Sequence, residues 1–459
     1  MGKQLMIVEV SQKQAYIFAS RNPTENQRRS QEIVRVTSEE YFRMACPEGY
    51  DPNVNKVYTG GGHAVLQFAD KQAADAFARA LTLQVLRDYP DMELFVAQWA
   101  YQSELSPGEN LINLSGALEK KKSLRISSFR RKALGLELDL SQTAKQEDEH
   151  QLSRSKRFRH RAIVHIDGNA MGARVSKVYE KSGADWKRCV ANLQRFSADI
   201  DEDYSWAYDA MVQSLRDHLD DEERDTVPLY KIIAAGDDLC FITSPEHALE
   251  CVVSFLWHLS RRVNAADGER YSACAGIAII GNETAFRQGY DLSEALCANA
   301  KRFAANYGGD VSAFDFQMIS GVPKGSLQQI REDYQAEDGT GLLLRPFAVT
   351  GTVPEKHTYT YLKSVLRNMQ EPIHVHTQRL LQMNRKAFFQ GQQEVRYALH
   401  MGRGQQMVNR MVHGDSTNSD LYFTDFDGTV KSLIFDALEL ASFTALWEGD
   451  LDEQNMSEH

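Results

Sequence analysis

Three aspartates carry the strongest chemical signal in this sequence. Asp237 and Asp238 are adjacent and follow Gly236 between two apolar segments, which places them at the tip of a predicted β-hairpin. Asp167 ends an earlier apolar segment, 162–167, which is predicted to be a strand. Carboxylates held this close, beside a core, repel one another unless a cation compensates them. The three residues therefore predict a site for one or two hard divalent cations with oxygen ligands.

Such a site suits nucleotidyl transfer. One ion lowers the pKa of the attacking ribose hydroxyl, and both ions neutralise charge on the transferred phosphoryl group. The alternative is an Asp-Asp turn on a soluble surface, because Gly-Asp turns are common. The second acidic position, Asp167 followed by Gly168 at a strand end, favours the metal site over the surface turn.

The elements that must position these residues occur in the same order twice. The second copy, 161–316, is predicted to contain a strand, helices, a hairpin, a helix, a strand, a helix and a last strand. The first strand is predicted at 161–167, the first helices at about 171–181 and 186–219, the hairpin at 229–243 and the next strand at 271–280, with a helix that begins at 245 and another that ends near 308. The first copy has predicted strands at 5–10, 54–59, 64–68 and 93–101, with a helix at 70–88. A chance recurrence of a common ββαβ pattern is the alternative.

The two predicted hairpins differ in charge. Superposing Gly61-Gly62-His63 on Gly236-Asp237-Asp238 places Ser11 close to the position of Asp167. The first copy would then lack a carboxylate at all three positions and could not hold metal in that way. Its glycines can still bring backbone N–H groups close to a phosphate or a base.

Composition sets the remaining limits. The 459 residues allow two to four domains, with 42% hydrophobic and 25% charged residues. No apolar run reaches the ~20 residues of a membrane span, so no membrane partner is expected. Six scattered cysteines without a C-x-x-C pair predict free thiols in a reducing cytosol. A net charge of −11 argues against general nucleic-acid binding over the whole surface.

The segment between the two copies is basic. Its lysines and arginines lie at 120–122, 125, 130–132, 154, 156, 157, 159 and 161. A solvated linker and helix face is the plainer interpretation, and contact with the phosphates of substrate or RNA is the other.

Six motifs, in order, resemble those of one family. They are Val8–Phe18, Gly60–Gly62, Asp167–Gly172, Gly236–Asp238, Ala300-Lys301 and Leu344–Phe347. The chain resembles the large subunit of type III CRISPR effector complexes, the palm-domain polymerase and cyclase family. It is also similar to the stand-alone relatives of that family, the minimal CRISPR polymerases.

The resemblance implies an α+β fold with two tandem ferredoxin-like palm domains and a C-terminal helical domain. The expected boundaries are 1–105 for a degenerate palm, 106–160 for a basic helical connector, 161–320 for the catalytic palm and 340–459 for the helical domain. It also implies a cytoplasmic enzyme that converts ATP, or another ribonucleoside triphosphate, to a cyclic oligoadenylate or cyclic dinucleotide for antiviral defence. RNA, CRISPR complex subunits and a second copy of the chain remain open as partners.

The resemblance also assigns roles to residues. Asp167 and Asp237 would bridge two Mg²⁺ or Mn²⁺ ions, with Asp238 and the carbonyl of Gly168 completing the site. Lys301, the turn at Gly236 and the amides of Asn169, Ala170, Met171 and Gly172 would contact the phosphates of one nucleotide. A second nucleotide would lie near Ser11, Gly61, Gly62 and His63.

The chain departs from the family in three places. The usual Gly-Gly-Asp-Asp turn begins here with Ala235, a position that still permits a tight turn, so activity is expected to survive. No HD nuclease motif and no zinc ribbon are found, which favours a protein that makes signals and does not cut DNA. Two alternatives stay open: an RNA-binding palm subunit of a ribonucleoprotein, and a relative of diguanylate or adenylate cyclases.

Overall fold

The computed structural model describes residues 2–20, 22–123, 160–220, 224, 227–281, 284–308, 310–319, 321, 325–413 and 420–447. Most of the predicted basic connector, 124–159, and the acidic tail, 448–459, lie outside these ranges. No helix within them is both long and apolar enough to cross a membrane.

The first palm is built on a four-stranded antiparallel sheet. Its strands are β1 (Gln4–Ser11), β2 (Lys56–Gly60), β3 (His63–Phe68) and β4 (Glu93–Ala100), in the spatial order β2-β3-β1-β4. Its helices are α1 (Lys13–Ile17), α2 (Pro23–Val36), α3 (Glu39–Ala45), α4 (Pro52–Asn55), α5 (Lys71–Asp88) and α6 (Pro107–Ser123).

The second palm repeats this topology and extends it. Strands β5 (His160–Gly168), β6 (Leu229–Ala235), β7 (Asp238–Thr243), β8 (Ala273–Gly281), β9 (Ser312–Ile319) and β10 (Phe347–Thr350) form a sheet of order β10-β9-β8-β5-β7-β6. Its first helices are α7 (Met171–Ser182), α8 (Trp186–Asp217), α9 (Pro245–Ser260) and α10 (Phe286–Ala305). The order β6-β7-β5-β8 matches β2-β3-β1-β4, which confirms two tandem palms of one topology.

The C-terminal region is mainly helical. It contains α11 (Leu327–Glu332), α12 (Tyr359–Gln370), α13 (Val375–Met383), α14 (Arg385–Gln390), α15 (Gln392–Met401), α16 (Gln405–His413) and α17 (Phe435–Leu440), with the small hairpin β11 (Tyr422–Thr424) and β12 (Val430–Ser432). The sequence favours helix over 359–389 and over 392–411, and the structure divides each of these stretches into shorter helices. Strand β10, within the region predicted to be helical, joins the second sheet beside β9.

Alternating side chains of β1 face two different apolar clusters. Leu5 and Ile7 of β1 face one apolar cluster, which includes Val164 of β5 and reaches the C-terminal helices. Met6 and Val8 face a second cluster, which the second palm also shares. Because both palms contribute to both clusters, the packing holds their hairpins in a fixed relation.

Candidate active site

Strand register brings the three predicted aspartates together. Asp167 pairs with Asp238 in the antiparallel ladder between β5 and β7. Asp237 lies with Gly236 in the two-residue turn between β6 and β7. Gly236 has φ +65°, a conformation that favours glycine, whereas Ala235 pairs with Asp238 inside the ladder. The alanine that departs from the family pattern therefore occupies an ordinary strand position.

Gly168 makes this approach possible. A Cβ atom at this position would lie 2.6 Å from the Tyr204 hydroxyl, 2.6 Å from Met171 Cε and 3.1 Å from Asp237 Cβ. The first two separations are below what real Cβ contacts show, and the third is tight. The Asp-Gly pair at the end of β5 thus reflects close packing against the second hairpin.

Lys301 of α10 bonds directly to this centre. Its ammonium group donates to Asp167 Oδ2 at 2.6 Å and to the Gly168 carbonyl at 2.7 Å. Asp238 has one buried oxygen, Oδ1, that accepts no hydrogen bond, and the ring of His165 lies 3.5 Å from it. Burial and the charge of Asp167 raise the pKa of Asp238 to about 7, and the same two causes raise the pKa of Asp237. The positive charge near the three aspartates therefore does not offset the repulsion between their carboxylates.

This shortage bears on the predicted metal ions. The donors are three carboxylates and a backbone carbonyl, the oxygen ligands that Mg²⁺ and Mn²⁺ prefer. As the side chains stand, no group of three acidic, histidine or cysteine residues in the described ranges is gathered tightly enough to hold an ion. Lys301 bonds to two of the predicted ligands instead. The donor chemistry, the unpartnered Asp238 oxygen and the raised pKa values fit a cation that would compete with Lys301.

The loop after β5 is positioned by Asn169. Its N–H donates to the Ser272 carbonyl, and its side-chain amide donates to Ser272 Oγ and to the Val311 carbonyl. Ala170 follows with φ +53° and caps α7. The Asn169 N–H, predicted to contact phosphate, is thus already bonded, while the first-turn N–H groups that follow lack intrahelical acceptors.

The first palm has a different register from the predicted one. Glu9, not Ser11, lies opposite His63 in the β1–β3 ladder, as Asp167 lies opposite Asp238. The backbone gives the same answer, because Gln12 has φ +50° three residues after Glu9, as Ala170 does after Asp167. The prediction that this palm has no carboxylate at the matching positions is therefore wrong. Ser11 corresponds to Asn169.

A lysine of the first palm also matches Lys301. Lys122 of α6 lies 2.7 Å from Glu9 Oε1, where Lys301 lies 2.6 Å from Asp167. Each lysine stands fifteen residues beyond the first residue of its helix, from 107 to 122 and from 286 to 301. The acid–lysine pair was missed from the sequence because Glu9 and Lys122 are 113 residues apart.

The first hairpin has Gly62 and His63 where the second has Asp237 and Asp238. Gly61 and Gly62 form its turn, with φ +56° and +75°. His63 is within 3.3 Å of the Tyr58 hydroxyl, and burial, with the nearby charge of Lys13, lowers its pKa to about 4. Lys13 donates from Nζ to the Gly61 carbonyl. It was not among the site residues predicted from the sequence.

The two hairpin tips face each other across a cavity of ≈370 Å³. A Cβ atom added to Gly236 would lie 3.9 Å from Gly61 Cα, so a methyl group there would just contact the opposite turn. The lining includes Gly61, Gly62, Gly236 and Asp238 from the hairpins, and Asp201, Tyr204, Ser205 and Tyr208 from α8. The cavity reaches the acidic centre at Asp238 and the first hairpin at Gly61 and Gly62, so two molecules bound in the two palms could meet there.

Comparison with known proteins supports the fold. No protein-family model matches the chain, and no curated protein matches it by sequence. It is similar to a chain in the crystal structure of the apo Csm1-Csm4 cassette, with 12% identity, a TM-score of 0.60 and coverage of 96% of this chain and 70% of that one.

Two further structures of that cassette are similar to the same extent. The complex with cA4 gives a TM-score of 0.59 at 12% identity, covering 96% of this chain and 70% of that one. The complex with AMPPNP gives 0.60 at 12% identity, covering 96% and 69%. At this identity the similarity shows the fold, which extends over both palms and the C-terminal region.

Proposed function

We propose that this protein is a nucleotidyl cyclase that converts ATP to a cyclic oligoadenylate or a cyclic dinucleotide, a second messenger in antiviral defence. The observation that carries the proposal is the pairing of Asp167 with Asp238 beside Asp237, together with the cavity that Asp238 and the glycine hairpin of the first palm both line. The cassette structures to which the chain is similar include complexes with cA4 and with AMPPNP, an ATP analogue.

The second palm would bind the nucleotide that is attacked. Asp167, Asp237, Asp238 and the carbonyl of Gly168 would hold two Mg²⁺ or Mn²⁺ ions. Bound there, the ions would neutralise phosphoryl charge and lower the pKa of the attacking hydroxyl. The first-turn amides of α7, from Ala170 to Gly172, would receive the triphosphate at the positive end of the helix dipole. Lys301, released from Asp167, would pair with phosphate oxygens.

The first palm would bind the attacking nucleotide near Ser11, Gly61, Gly62 and His63. Its ribose hydroxyl oxygen attacks the α-phosphorus of the nucleotide in the second palm. One P–O bond forms, the bond to the β-phosphate breaks, pyrophosphate leaves and the hydroxyl proton passes to solvent. Repetition lengthens the product. Attack by its terminal hydroxyl on its own 5′ α-phosphorus then closes the ring, as the bond to the β-phosphate breaks, a last pyrophosphate leaves and the hydroxyl proton passes to solvent. The fixed packing of the two palms supports this proposal because it holds both reactants in one orientation.

A product assay tests the proposal. The protein is incubated with each ribonucleoside triphosphate, singly and mixed, with Mg²⁺ or Mn²⁺, and products are separated and identified by mass. A cyclic adenylate formed from ATP is expected. Only linear products, or none, with every nucleotide and both ions would contradict a stand-alone cyclase.

A second candidate is an RNA-dependent palm subunit of a type III CRISPR-like ribonucleoprotein. The observation that favours it is the similarity to a chain of the Csm1-Csm4 cassette, which is an assembly. The ratio of absorbance at 260 and 280 nm of the purified protein distinguishes the candidates. A ratio typical of protein alone, with synthesis from ATP alone, supports the stand-alone enzyme. Bound RNA, or synthesis only after RNA is added, supports the subunit.

A further inference from the structure

A histidine and a tyrosine lie beneath the acidic hairpin of the second palm. His165 of β5 and Tyr290 of α10 are both buried, and the Tyr290 hydroxyl lies 3.4 Å from His165 Nδ1. The same nitrogen lies 3.5 Å from Asp238 Oδ1, and the two rings meet edge to face with their centres 5.4 Å apart. The three polar atoms therefore form a short chain that ends at one carboxylate of the predicted metal site.

The first palm has apolar residues at both corresponding positions. Ile7 stands where His165 stands in the second palm, two residues before the acid of its strand. Leu111 is the fifth residue of α6, as Tyr290 is the fifth residue of α10. Ile7 and Leu111 are buried in one apolar cluster. The palm topology therefore does not require a polar pair at this depth, and of the two palms it is the one with the acidic hairpin that has the pair.

Other charged groups lie near the pair but leave one oxygen of Asp238 without a donor. Asp238 and His165 share three charged neighbours, and Asp238 has a fourth: Asp167, Glu294 and Lys301, and then Lys13. Neither lysine bonds to Asp238 Oδ1, which is buried and accepts no hydrogen bond. Such an oxygen destabilises the fold unless a donor reaches it. An imidazole that carries its proton on Nδ1 supplies that donor after a shift of a few tenths of an ångström.

We infer that His165 is a positioning residue, which donates from Nδ1 to Asp238 Oδ1 and so fixes the orientation of this carboxylate for a divalent cation. Tyr290 holds the imidazole ring in place through the edge-to-face contact. Hydrogen-bond partners of this kind orient the ligands of metal ions and affect the affinity for the ion. The inference rests on the proposed function for the role of Asp238 as a metal ligand, but not on synthesis.

Binding of Mn²⁺ to the full chain, followed by the electron paramagnetic resonance of the free ion, tests the inference without turnover. The relevant sites are those that Asp237→Ala/Asp238→Ala loses. His165→Ile places in β5 the residue that the first palm has, and it should weaken these sites by about 10- to 100-fold. His165→Asn keeps an N–H donor near the place of Nδ1 and should remain within about threefold of the wild type. His247→Ile removes another buried histidine of the second palm and should leave Mn²⁺ binding unchanged.

A second measurement decides the matter if His165→Ile does not fold. In the wild type with ¹⁵N-labelled histidine, the NMR signals of the His165 ring, identified by their change in Tyr290→Phe, should show the proton on Nδ1. A proton on Nε2 would make Nδ1 an acceptor from Tyr290 and would overturn the inference.

The metal-binding results separate the inference from the proposed function. If no protein makes product but Mn²⁺ binding depends on His165 and survives in His165→Asn, the proposed function fails and the inference stands. If the wild type makes product but binds Mn²⁺ no more tightly than His165→Ile does, the inference fails and the proposed function stands. Equal weakening by His165→Asn and His165→Ile, or no Mn²⁺ site that depends on the acidic pair, also overturns the inference.

Discussion

At the residue scale, the acidic hairpin makes stability depend on pH. Burial and Asp167 raise the pKa of Asp237 and Asp238, the latter to about 7. A raised carboxyl pKa stabilises the fold below the unfolded value of about 4, and this contribution is lost as pH rises through the folded pKa. The metal-free protein should therefore lose stability between pH 4 and about 7.

Thermal unfolding across this range, with Asp237→Asn/Asp238→Asn as the reference, measures the effect. The variant should lose less stability than the wild type as pH rises, because its amides do not ionise. Mg²⁺ at pH 8 should raise the unfolding temperature of the wild type and leave the variant unchanged. If the unfolding temperatures of the two proteins fall equally as pH rises, the ionisation of Asp237 and Asp238 does not cause the loss of stability.

Gly168→Ala tests the packing beneath the site. The added methyl group would meet the ends of the Met171 and Tyr204 side chains, which must move aside, and Asp237 Cβ must shift by a few tenths of an ångström. Because a misplacement of about 1 Å at a reacting centre lowers the rate by about 100-fold, this smaller shift should lower synthesis from ATP by about tenfold. Gly116→Ala, in α6 with nothing within 4 Å of the new atom, is the control and should be neutral.

At the element scale, the hairpin between β6 and β7 tolerates its departure from Gly-Gly-Asp-Asp. Ala235 lies in the ladder, and only Gly236 needs positive φ. Ala235→Gly should keep activity within about twofold, because the turn is unchanged. It should lower the free energy of unfolding by about 0.5–1 kcal/mol, the usual effect of glycine inside a strand. Denaturant unfolding and the product assay check both; a large gain in synthesis would show that Ala235 restrains the turn.

Some of these elements could be predicted from the sequence, but their strand register could not. The second hairpin and the strand ending at Asp167 were recognisable because apolar segments flank polar tips. The correspondence between Ser11 and Asp167 was wrong by two residues, because element order does not fix strand register. The left-handed residues Gln12 and Ala170, which do fix it, are not glycines and gave no signal. Strand β10 was missed because four residues carry little periodicity.

At the scale of the whole molecule, a buried ion network fastens the C-terminal region to the second palm. Arg345 is fully buried, lies 2.9 Å from Glu439 and 3.4 Å from Asp436 of α17, and stacks over Phe316 of β9. Such a network joins residues far apart in sequence, so neither it nor the shared cores of the palms could be predicted from local patterns.

Removing Arg345 should destabilise the protein strongly. Arg345→Met removes the cation beside buried Asp436 and leaves Glu439 paired with Arg385 alone. Breaking a buried pair in this way lowers the free energy of unfolding by about 3–5 kcal/mol. Arg385→Met is the matched control: its half-exposed side chain contacts the same Glu439, which would keep Arg345, so a smaller loss is expected. Equal losses in denaturant unfolding would contradict the role assigned to Arg345.

The central claim is that the acidic hairpin of the second palm joins nucleotides. The most direct measurement compares product formation from ATP, with Mg²⁺ or Mn²⁺, by the wild type, by Asp237→Ala/Asp238→Ala and by Glu394→Ala, which removes an exposed carboxylate of α15. A cyclic adenylate from the wild type and from Glu394→Ala, and none from the double variant, is predicted. Equal product from the double variant, or no product from the folded wild type, would contradict the claim.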